Sequence, residues 1–326
     1  MSQESSYLVA DIGGTNARFA IARGSVACGF DLDQVRRLKN EDFEHLRDAA
    51  MAYLQSCEGA CPTRACFAVA SPIRAGRVQL TNATWSFRPD ELGGELGMET
   101  LIAVNDFEAQ ARGAPLTPAA DIVEIAAGRP IKNTPIAVLG PGTGLGLGLL
   151  IPDGDTLKVV ATEGGHAGFA PRTDLEIEVG RILAREYGFV SWERILSGRG
   201  LVNIHRALCQ IEGKAWTGDR PEEITRDALA EPGSMGARVV DFFYAALGGY
   251  AGDVAVLAGA RAGIYLGGGI LPRIQTLLET SPFRSRFLGR GPMSGYVSDI
   301  PIHLIQSDGA ALRGAAALAE QGASTS

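Results

Sequence analysis

One backbone device occurs twice in this chain, and it restricts the fold more than any other feature of the sequence. An apolar run enters a glycine-rich turn and a second apolar run leaves it. The first copy is LVADIGGTNARFAIA (8–22), and the second is PIAVLGPGTGLGLGLLI (135–151). Two short apolar runs around such a turn predict a β-hairpin. A related strand, in AGIYLGGGI (262–270), ends in three glycines.

Strands and helices alternate along the rest of the chain. ACFAVA (65–70) and LIAVND (101–106) predict buried strands, and a helix is expected to leave the second of them. The long middle, from 174 to 260, has mostly helical spacing, and an Ala-rich helix is expected over 308–321. This alternation, with two similar hairpins, indicates an α/β protein built from two related lobes.

The lobe boundaries follow from where the pattern changes. The proline-containing stretch around Pro115 and Pro118 is the expected crossover. We therefore expect a small lobe from 1–116 together with 307–326, and a large lobe from 117–306.

Composition excludes several classes of protein. The 326 residues carry a net charge of −7, which offers nothing to attract nucleic acid or an anionic membrane surface. No signal peptide is expected, because no basic start precedes a short apolar stretch. No uninterrupted apolar run reaches the ~18 residues that suggest a transmembrane helix. These features predict a cytoplasmic protein.

The cysteines also fit a reducing compartment, because their number is odd and no secretory signal accompanies them. They are Cys28, Cys57, Cys61, Cys66 and Cys209. Cys57, Cys61 and Cys66 are close in sequence, but they form no C-x-x-C pair and no histidine is near. We expect part-buried thiols there and no zinc site.

The first hairpin has the composition of a phosphate-binding turn. Glycines bring backbone N–H groups close to a phosphate because no Cβ is in the way. Thr15 adds a hydroxyl, and Asp11 at the strand end could hold Mg²⁺, directly or through water. A tight hairpin without a ligand is the plain alternative. The Walker A sequence is absent, and a strand follows the turn where the Rossmann fingerprint needs a helix.

The second hairpin, GPGTGLG (140–146), strengthens the phosphate interpretation. Two Gly-Thr hairpins facing each other could hold one polyphosphate from both sides. The glycine triplet 267–269 would add a flat surface for a nucleoside. A flexible loop is the alternative explanation for the triplet.

A polar pair ends the strand in VNDFEAQA. A carboxylate at Asp106 could accept the proton of an attacking hydroxyl, as a catalytic aspartate does in phosphoryl transfer. The alternative is that Asp106 caps the helix that begins near Phe107.

Two further stretches contain acidic or histidine side chains that could bind a ligand. ATEGGHAGFAP contains Glu163 and His166, which could be half of a metal site, a loop that hydrogen-bonds a polyol, or a solvated loop. SWERILSGRGL adds Glu193, which by itself resembles a surface glutamate at a helix start.

Taken together, the motifs resemble the bacterial glucokinase family, in the order of that family and over nearly the whole chain. The matching segments are VADIGGTNARFA, AVNDFEAQA, VLGPGTGLG, ATEGGHAGFAP, SWERILSGRGLVNIHRAL and IYLGGGILPRI. The segment LTNATW (80–85) also resembles part of the family, without an assigned contact. The resemblance implies the two-lobed, actin-like ATPase (ribonuclease H-like) fold, an α/β fold with a central interlobe cleft.

The resemblance also implies residue roles. ATP would be held at Ala10, Asp11, Ile12, Gly13, Gly14, Thr15, Gly142, Thr143, Gly267, Gly268 and Gly269, with Mg²⁺ at Asp11. Glucose hydroxyls would be bound by Asn105, Asp106, Glu163, His166 and Glu193. Asp106 would be the catalytic base, and a homodimer is implied.

The segment after His166 departs from the pattern of related sugar kinases and indicates which branch of them this chain resembles. Related repressor and kinase proteins carry a Cys-rich zinc motif after the histidine, whereas HAGFAPRTDLE contains no cysteine. The expected reaction is therefore that of a non-zinc glucokinase: Mg·ATP and D-glucose give ADP and glucose 6-phosphate. The alternatives are a kinase for another hexose or amino sugar, and a non-catalytic actin-like ATP-binding regulator.

Overall fold

The computed structural model describes residues 5–71, 73, 74, 76–80, 85–216, 218 and 220–322. Of the segment LTNATW, residues 81–84 lie outside the described residues. The chain forms two compact units. The first contains the described residues up to Asp121 and those from Ser307 onward, and the second is Ile122–Gln306. The sequence-based boundaries were 116/117 and 306/307.

The described strands and helices follow one another in groups along the chain, with four consecutive helices from α4 to α7 in its middle. The strands are β1 Ser6–Ile12, β2 Asn16–Ser25, β3 Gly29–Lys39, β4 Arg64–Val69, β5 Ile73–Arg74, β6 Arg77–Gln79, β7 Ser86–Phe87, β8 Thr100–Asn105, β9 Ile122–Ala126, β10 Ile136–Pro141, β11 Leu145–Asp153, β12 Thr156–Thr162, β13 Gly263–Leu266 and β14 Ile302–Ile305. The helices are α1 Leu46–Gln55, α2 Pro89–Glu95, α3 Asp106–Gly113, α4 Asp174–Tyr187, α5 Gly198–Ile211, α6 Pro221–Ala230, α7 Met235–Ala258, α8 Leu271–Ile274, α9 Phe283–Leu288, α10 Ser294–Val297 and α11 Ala310–Gly322.

The first unit is built on a five-stranded sheet in the order β3-β2-β1-β4-β8. The β1–β2 hairpin is antiparallel, and β1, β4 and β8 are parallel to one another. The central strand β1 is buried on both faces, so its apolar residues run almost continuously. Leu8 packs into the cluster that includes α1, whereas Val9 packs into the cluster that includes α11.

Helices α3 and α11 cross within this unit at two glycines. A Cβ added at Gly113 would lie 1.8 Å from the carbonyl oxygen of Ala310, and one at Gly314 would lie 1.8 Å from that of Ala109. The crossing therefore admits no side chain at either position. It fixes α3, which begins at Asp106, against the helix that follows Asp308.

The second unit repeats the arrangement around a six-stranded sheet, β12-β11-β10-β13-β14-β9. Strands β10 and β11 form the second antiparallel hairpin, and β13 lies parallel to β10. The glycine triplet thus follows the strand next to the hairpin, and both sequence-predicted hairpins are confirmed.

Helix α7 forms the core of the second unit. It is apolar around most of its circumference, as expected for a helix enclosed by other elements. Its length and composition would also suit a membrane span, but most of its apolar window is buried inside the unit. A core helix of a globular domain meets the same two criteria.

Candidate active site

The turn of the first hairpin is held by backbone hydrogen bonds. The N–H of Gly13 donates to the carbonyl of Asn16 at 3.0 Å. The buried Asn40 holds the turn from the side: its Nδ2 donates to the carbonyl of Gly13 at 2.9 Å, and its N–H donates to that of Thr15 at 2.9 Å. The predicted phosphate turn is therefore a rigid feature of the first unit.

Charged side chains surround this turn. Nη2 of Arg18, on β2, donates to Oδ2 of Asp11 at 2.8 Å, and Nη1 of Arg18 lies 3.2 Å from Oδ2 of Asp308. Arg37, on β3, reaches the same oxygen of Asp308 at 3.3 Å. Two arginines and two aspartates thus alternate beside the glycine turn.

These groups enclose a cavity of about 380 Å³. Its lining is Asp11, Gly13, Gly14, Thr15, Asn16, Arg18, Arg37 and Asp308. Ala10 and Ile12, also predicted to lie near the nucleotide, are buried strand residues that do not line it. The cavity is polar and offers both backbone N–H groups and cations, which suits phosphate groups.

Asn105 and Asp106 lie where β8 passes into α3. Asn105 is the N-cap, and its Oδ1 accepts hydrogen bonds from the N–H groups of Phe107 at 2.9 Å and Glu108 at 3.4 Å. Asp106 is the first helical residue, and its Oδ1 accepts from the N–H of Phe107 at 2.8 Å. The N-terminus of α3 is therefore capped mainly by Asn105, and not by Asp106 as the alternative interpretation had it. In the described part of the chain, Oδ2 of Asp106 makes no capping hydrogen bond.

The Asp106 carboxyl is unusually basic. Burial raises its pKa to about 6, and the negative charge of Asp11 adds to the increase, while the hydrogen bond from Phe107 opposes it. A carboxylate with a raised pKa takes up a proton more readily than an exposed one, which is the property that a general base requires.

The second hairpin borders a larger cavity, of about 610 Å³, in the second unit. The N–H of Gly198, at the start of α5, donates to the carbonyl of Gly142 at 2.8 Å, which fixes the turn to this helix. The lining is Gly142, Thr143, Gly198, Arg199, Leu201, Val202, Pro221, Glu222, Thr225, Gly269, Ile270 and Arg273. Apolar walls beside a Gly-Thr turn suit a nucleoside attached to phosphates.

Within the glycine triplet, the three positions differ. Gly267 donates its N–H to the carbonyl of Leu139 at 2.8 Å and continues the sheet. Gly268 has a φ of +82°, and a Cβ there would lie 2.3 Å from the carbonyl oxygen of Pro141. Gly269 lines the cavity and has open space around it. Only Gly269 of the three faces the cavity.

The residues predicted to bind a sugar in this unit gather around Leu145. Glu193, on the single helical turn Trp192–Arg194, accepts a hydrogen bond from the N–H of Leu145 at 3.0 Å. Glu163 precedes the turn Gly164–His166, of which His166 is the last residue, and a Cβ at Gly165 would lie 2.1 Å from the carbonyl oxygen of Leu145.

The Glu163 and His166 side chains point toward solvent. Nε2 of His166 lies 4.0 Å from a carboxylate oxygen of Glu163. The His166 side chain is 61% exposed and the Glu163 side chain is 92% exposed. Among the described residues, no group of three His, Cys, Asp or Glu could hold a metal ion. The open pair is therefore free to hydrogen-bond a ligand.

An aromatic stack supports both loops from below. The Trp192 ring lies between Phe169, in an edge contact at 5.1 Å, and Tyr250 of α7 at 4.8 Å. The N–H of Trp192 also donates to the carbonyl of Ala167 at 2.9 Å. This packing joins the loop that contains His166 to the turn that contains Glu193.

Several residues that line the cavities were not predicted from the sequence. Arg18 and Asp308 are separated by most of the chain, and Arg37 lies on a strand with no motif, so no local pattern could have related them. For Arg18 a signal existed, since it follows the hairpin turn directly on a strand beside Asp11. In the second unit, Pro221, Thr225 and Arg273 had no comparable signal.

A glucokinase family model matches residues 8–322. The chain belongs to the glucokinase family. A glucokinase of Chromobacterium violaceum is 40% identical over 310 residues, which cover 95% of this chain and 88% of the relative. One of Saccharophagus degradans is 39% identical over 315 residues, covering 97% and 98% of the two chains. The crystal structure of a glucokinase from an Antarctic psychrotroph superposes with a TM-score of 0.92 at 37% identity, covering 98% of this chain and 100% of that one.

Family membership makes this chain an ATP-dependent sugar kinase, which is a phosphotransferase. It confirms the resemblance and the fold class, an α/β fold of the actin-like ATPase type. The roles of individual residues and the place of Mg²⁺ stay predictions.

Proposed function

We propose that this protein transfers the γ-phosphoryl group of ATP to the 6-hydroxyl of D-glucose, giving ADP and glucose 6-phosphate. The observation that carries the proposal is Asp106. It is a half-buried carboxyl with a pKa raised to about 6, in the same unit as a rigid phosphate turn. Membership of the glucokinase family supports the same reaction.

In the first unit, Asp106 is the general base, and Asn105 is the neighbouring sugar ligand. Oδ2 of Asp106 accepts the proton of the 6-hydroxyl while glucose O6 bonds to the γ-phosphorus and the bond to the β–γ bridging oxygen breaks. The hydrogen bond from Phe107 to Oδ1 fixes the carboxyl plane during this step. Because phosphoryl transfer has a loose transition state, positioning of O6 contributes more than its activation.

The glycine turn at Gly13, Gly14 and Thr15 is proposed to bind ATP phosphates through its N–H groups. Asp11 is the proposed protein ligand of Mg²⁺, either directly or through water. The Asp11 carboxylate fits this ion, because Mg²⁺ prefers oxygen ligands. Arg18 donates to Oδ2 of Asp11, and no described hydrogen bond occupies Oδ1. Mg²⁺ would supply charge neutralisation on the phosphates.

In the second unit, Gly142 and Thr143 are proposed to contact phosphates, and Gly269 to contact the nucleoside in the 610 Å³ cavity. Gly267 and Gly268 support that surface through the sheet. Glu163, His166 and Glu193 are the proposed partners of sugar hydroxyls. Since a site built to hydrogen-bond hydroxyls rejects a sugar that lacks them or orients them differently, these three residues would give the specificity.

We further propose that the enzyme works in the cytoplasm as a homodimer and binds neither nucleic acid nor membrane. The net charge of −7 supports the last two statements, because it disfavours polyanionic partners. Gel filtration with light scattering tests the dimer.

The deciding experiment is ADP release from Mg·ATP with and without sugars. Strong stimulation by glucose, and little by mannose, fructose or N-acetylglucosamine, is expected. Stimulation by another sugar above that by glucose would replace glucose as the substrate. Nucleotide binding without stimulation by any sugar would overturn the proposal in favour of a non-catalytic ATP-binding regulator.

A further inference from the structure

Gly144 of the second hairpin lies in close contact with Glu193, a proposed sugar-binding residue. Gly144 follows Thr143 in the hairpin turn. A Cβ built on Gly144 would lie 2.6 Å from Oε2 of Glu193 and 3.3 Å from its Cδ. The same Oε2 accepts the hydrogen bond from Leu145 N–H at 3.0 Å. The Glu193 carboxylate therefore occupies the space that any side chain at position 144 would fill.

The backbone on both sides of this contact is fixed. The N–H of Gly142 donates to the carbonyl of Gly144 at 2.8 Å, which closes the turn. On the Glu193 side, Oγ of Ser197 donates to the carbonyl of Glu193 at 2.7 Å. The N–H of Gly198 donates to the carbonyl of Gly142 at 2.8 Å. The Glu193 side chain is the flexible part of the contact, so a substituent at position 144 would move that carboxylate first.

Backbone conformation does not explain the glycine. Gly144 lies outside the positive-φ region, so an alanine could adopt its backbone conformation. Gly142, two residues earlier in the same turn, also has φ outside that region and has nothing within 4 Å of an added Cβ. What distinguishes Gly144 from Gly142 is the Glu193 carboxylate.

We propose that Gly144 is a positioning residue for sugar binding: its missing side chain lets Glu193 dock on Leu145 N–H and so orients the other carboxylate oxygen toward the sugar. This inference rests on the proposed role of Glu193 as a sugar ligand. The second hairpin, already proposed to contact phosphates, would then also hold a sugar-binding carboxylate in place.

The test is calorimetric titration of glucose into the full chain without nucleotide, for Gly144→Ala and a control variant, Gly295→Ala. Gly295 is in the same unit, lies outside the positive-φ region, and has nothing within 4 Å of an added Cβ. We expect the glucose Kd to rise tenfold or more in Gly144→Ala, the order of one lost hydrogen bond to a charged group. In Gly295→Ala the glucose Kd should stay within about twofold of the parent. Equal glucose affinity in Gly144→Ala and the parent overturns the inference.

A double-mutant cycle separates this mechanism from a general disturbance of the hairpin. If Gly144 acts through Glu193, then Gly144→Ala should weaken glucose binding no further in a Glu193→Ala background. A further tenfold loss there would refute the mechanism, even if Gly144→Ala alone binds glucose weakly. Thermal unfolding of each variant identifies any that is destabilised, and the titrations of the cycle are then made at a temperature at which all four proteins are folded.

The controls also distinguish the two levels of the argument. A parent protein that binds no glucose would overturn the proposed function. A parent that binds glucose, with Glu193→Ala binding it equally well, would remove Glu193 from the sugar site and the inference with it.

Discussion

The two glycine hairpins begin from similar sequences and end in different surroundings. DIGGTN, in the first unit, is bordered by Asp11, Arg18, Arg37 and Asp308 around a polar cavity of about 380 Å³. GPGTG, in the second, lies against the start of α5 beside a cavity of about 610 Å³ with apolar walls such as Val202 and Ile270. The same type of turn therefore lies in different chemical surroundings, which are set by the neighbouring strands and helices.

The difference also concerns how each turn is held. The first hairpin is fixed mainly by an ion-pair network and by Asn40, whereas the second is fixed mainly by backbone contacts with Gly198 and Gly268, together with one hydrogen bond to the Glu193 carboxylate. Charged support should be sensitive to loss of charge, and backbone support to added volume. Single substitutions in the two units can test this contrast.

The largest effect is expected at the end of β8, where we assign the chemistry to the first unit. Asp106→Asn should lower kcat about 10³-fold, because an amide cannot accept the proton of the 6-hydroxyl. Steady-state kinetics with saturating glucose and ATP measure it. Glu108→Gln, two residues along the same helix, is the control and should stay within about tenfold of the parent. A kcat within about tenfold of the parent for Asp106→Asn would remove it as the base.

The second hairpin should be more sensitive to volume. Gly268→Ala is expected to lower the free energy of unfolding by about 3 kcal/mol, because it combines a positive φ with a 2.3 Å approach to Pro141. Gly269→Ala, with open space around it, should change stability by less than about 0.5 kcal/mol. Urea denaturation compares the pair, and equal stabilities would contradict backbone support.

The first hairpin should be more sensitive to charge. Arg18→Ala should lower the free energy of unfolding by about 2 kcal/mol, because the part-buried Asp11 carboxylate loses its partner. The matched control is Arg23→Ala on the same strand, whose pair with Asp33 is exposed, and it should cost less than about 1 kcal/mol. If both variants lose the same stability, the ion pair beside the turn is no more than a surface contact.

The smallest effect concerns pH. With the pKa of Asp106 near 6, kcat/KM should fall about tenfold per pH unit below that value, as the base becomes protonated. The stability effect has the opposite sign. The folded state holds this proton more tightly than an unfolded Asp, with a pKa of about 3.9, so folding stability falls as pH rises from about 4 to about 6.

Asp106→Asn separates this group from all others that titrate in the same range. Its unfolding free energy, relative to the parent, should rise between about pH 4 and pH 6, because the amide carries no charge to bury. An acid limb in the parent kcat/KM centred near pH 4 would show that burial does not raise this pKa.

Local sequence predicted the parts of the site that lie within a few residues of one another. The hairpins, the β8–α3 junction and the glycine triplet all follow from short patterns of apolar residues, glycines and capping side chains. Asn105 and Asp106 could be assigned to a strand end for this reason. The sequence could not show which of these two residues caps α3, because both side chains can accept a hydrogen bond from the N–H of Phe107.

Glu193 shows the limit of that approach. In sequence it resembles a surface glutamate at a helix start, and nothing nearby indicates a partner. In the folded second unit its carboxylate accepts the N–H of Leu145, in a hairpin 48 residues away in sequence. The signal that could have indicated this contact is Gly144, a glycine that no turn conformation requires.

The sequence by itself determined the glycine turns, the order of strands and helices, and the family, because each depends on residues that are neighbours along the chain. Only the tertiary structure decided which charges surround the first turn and which apolar walls surround the second. It brought Arg18 to Asp308 and Glu193 to Leu145. Such pairs depend on strand pairing and helix packing across long stretches of chain, and no local pattern of residue types specifies them.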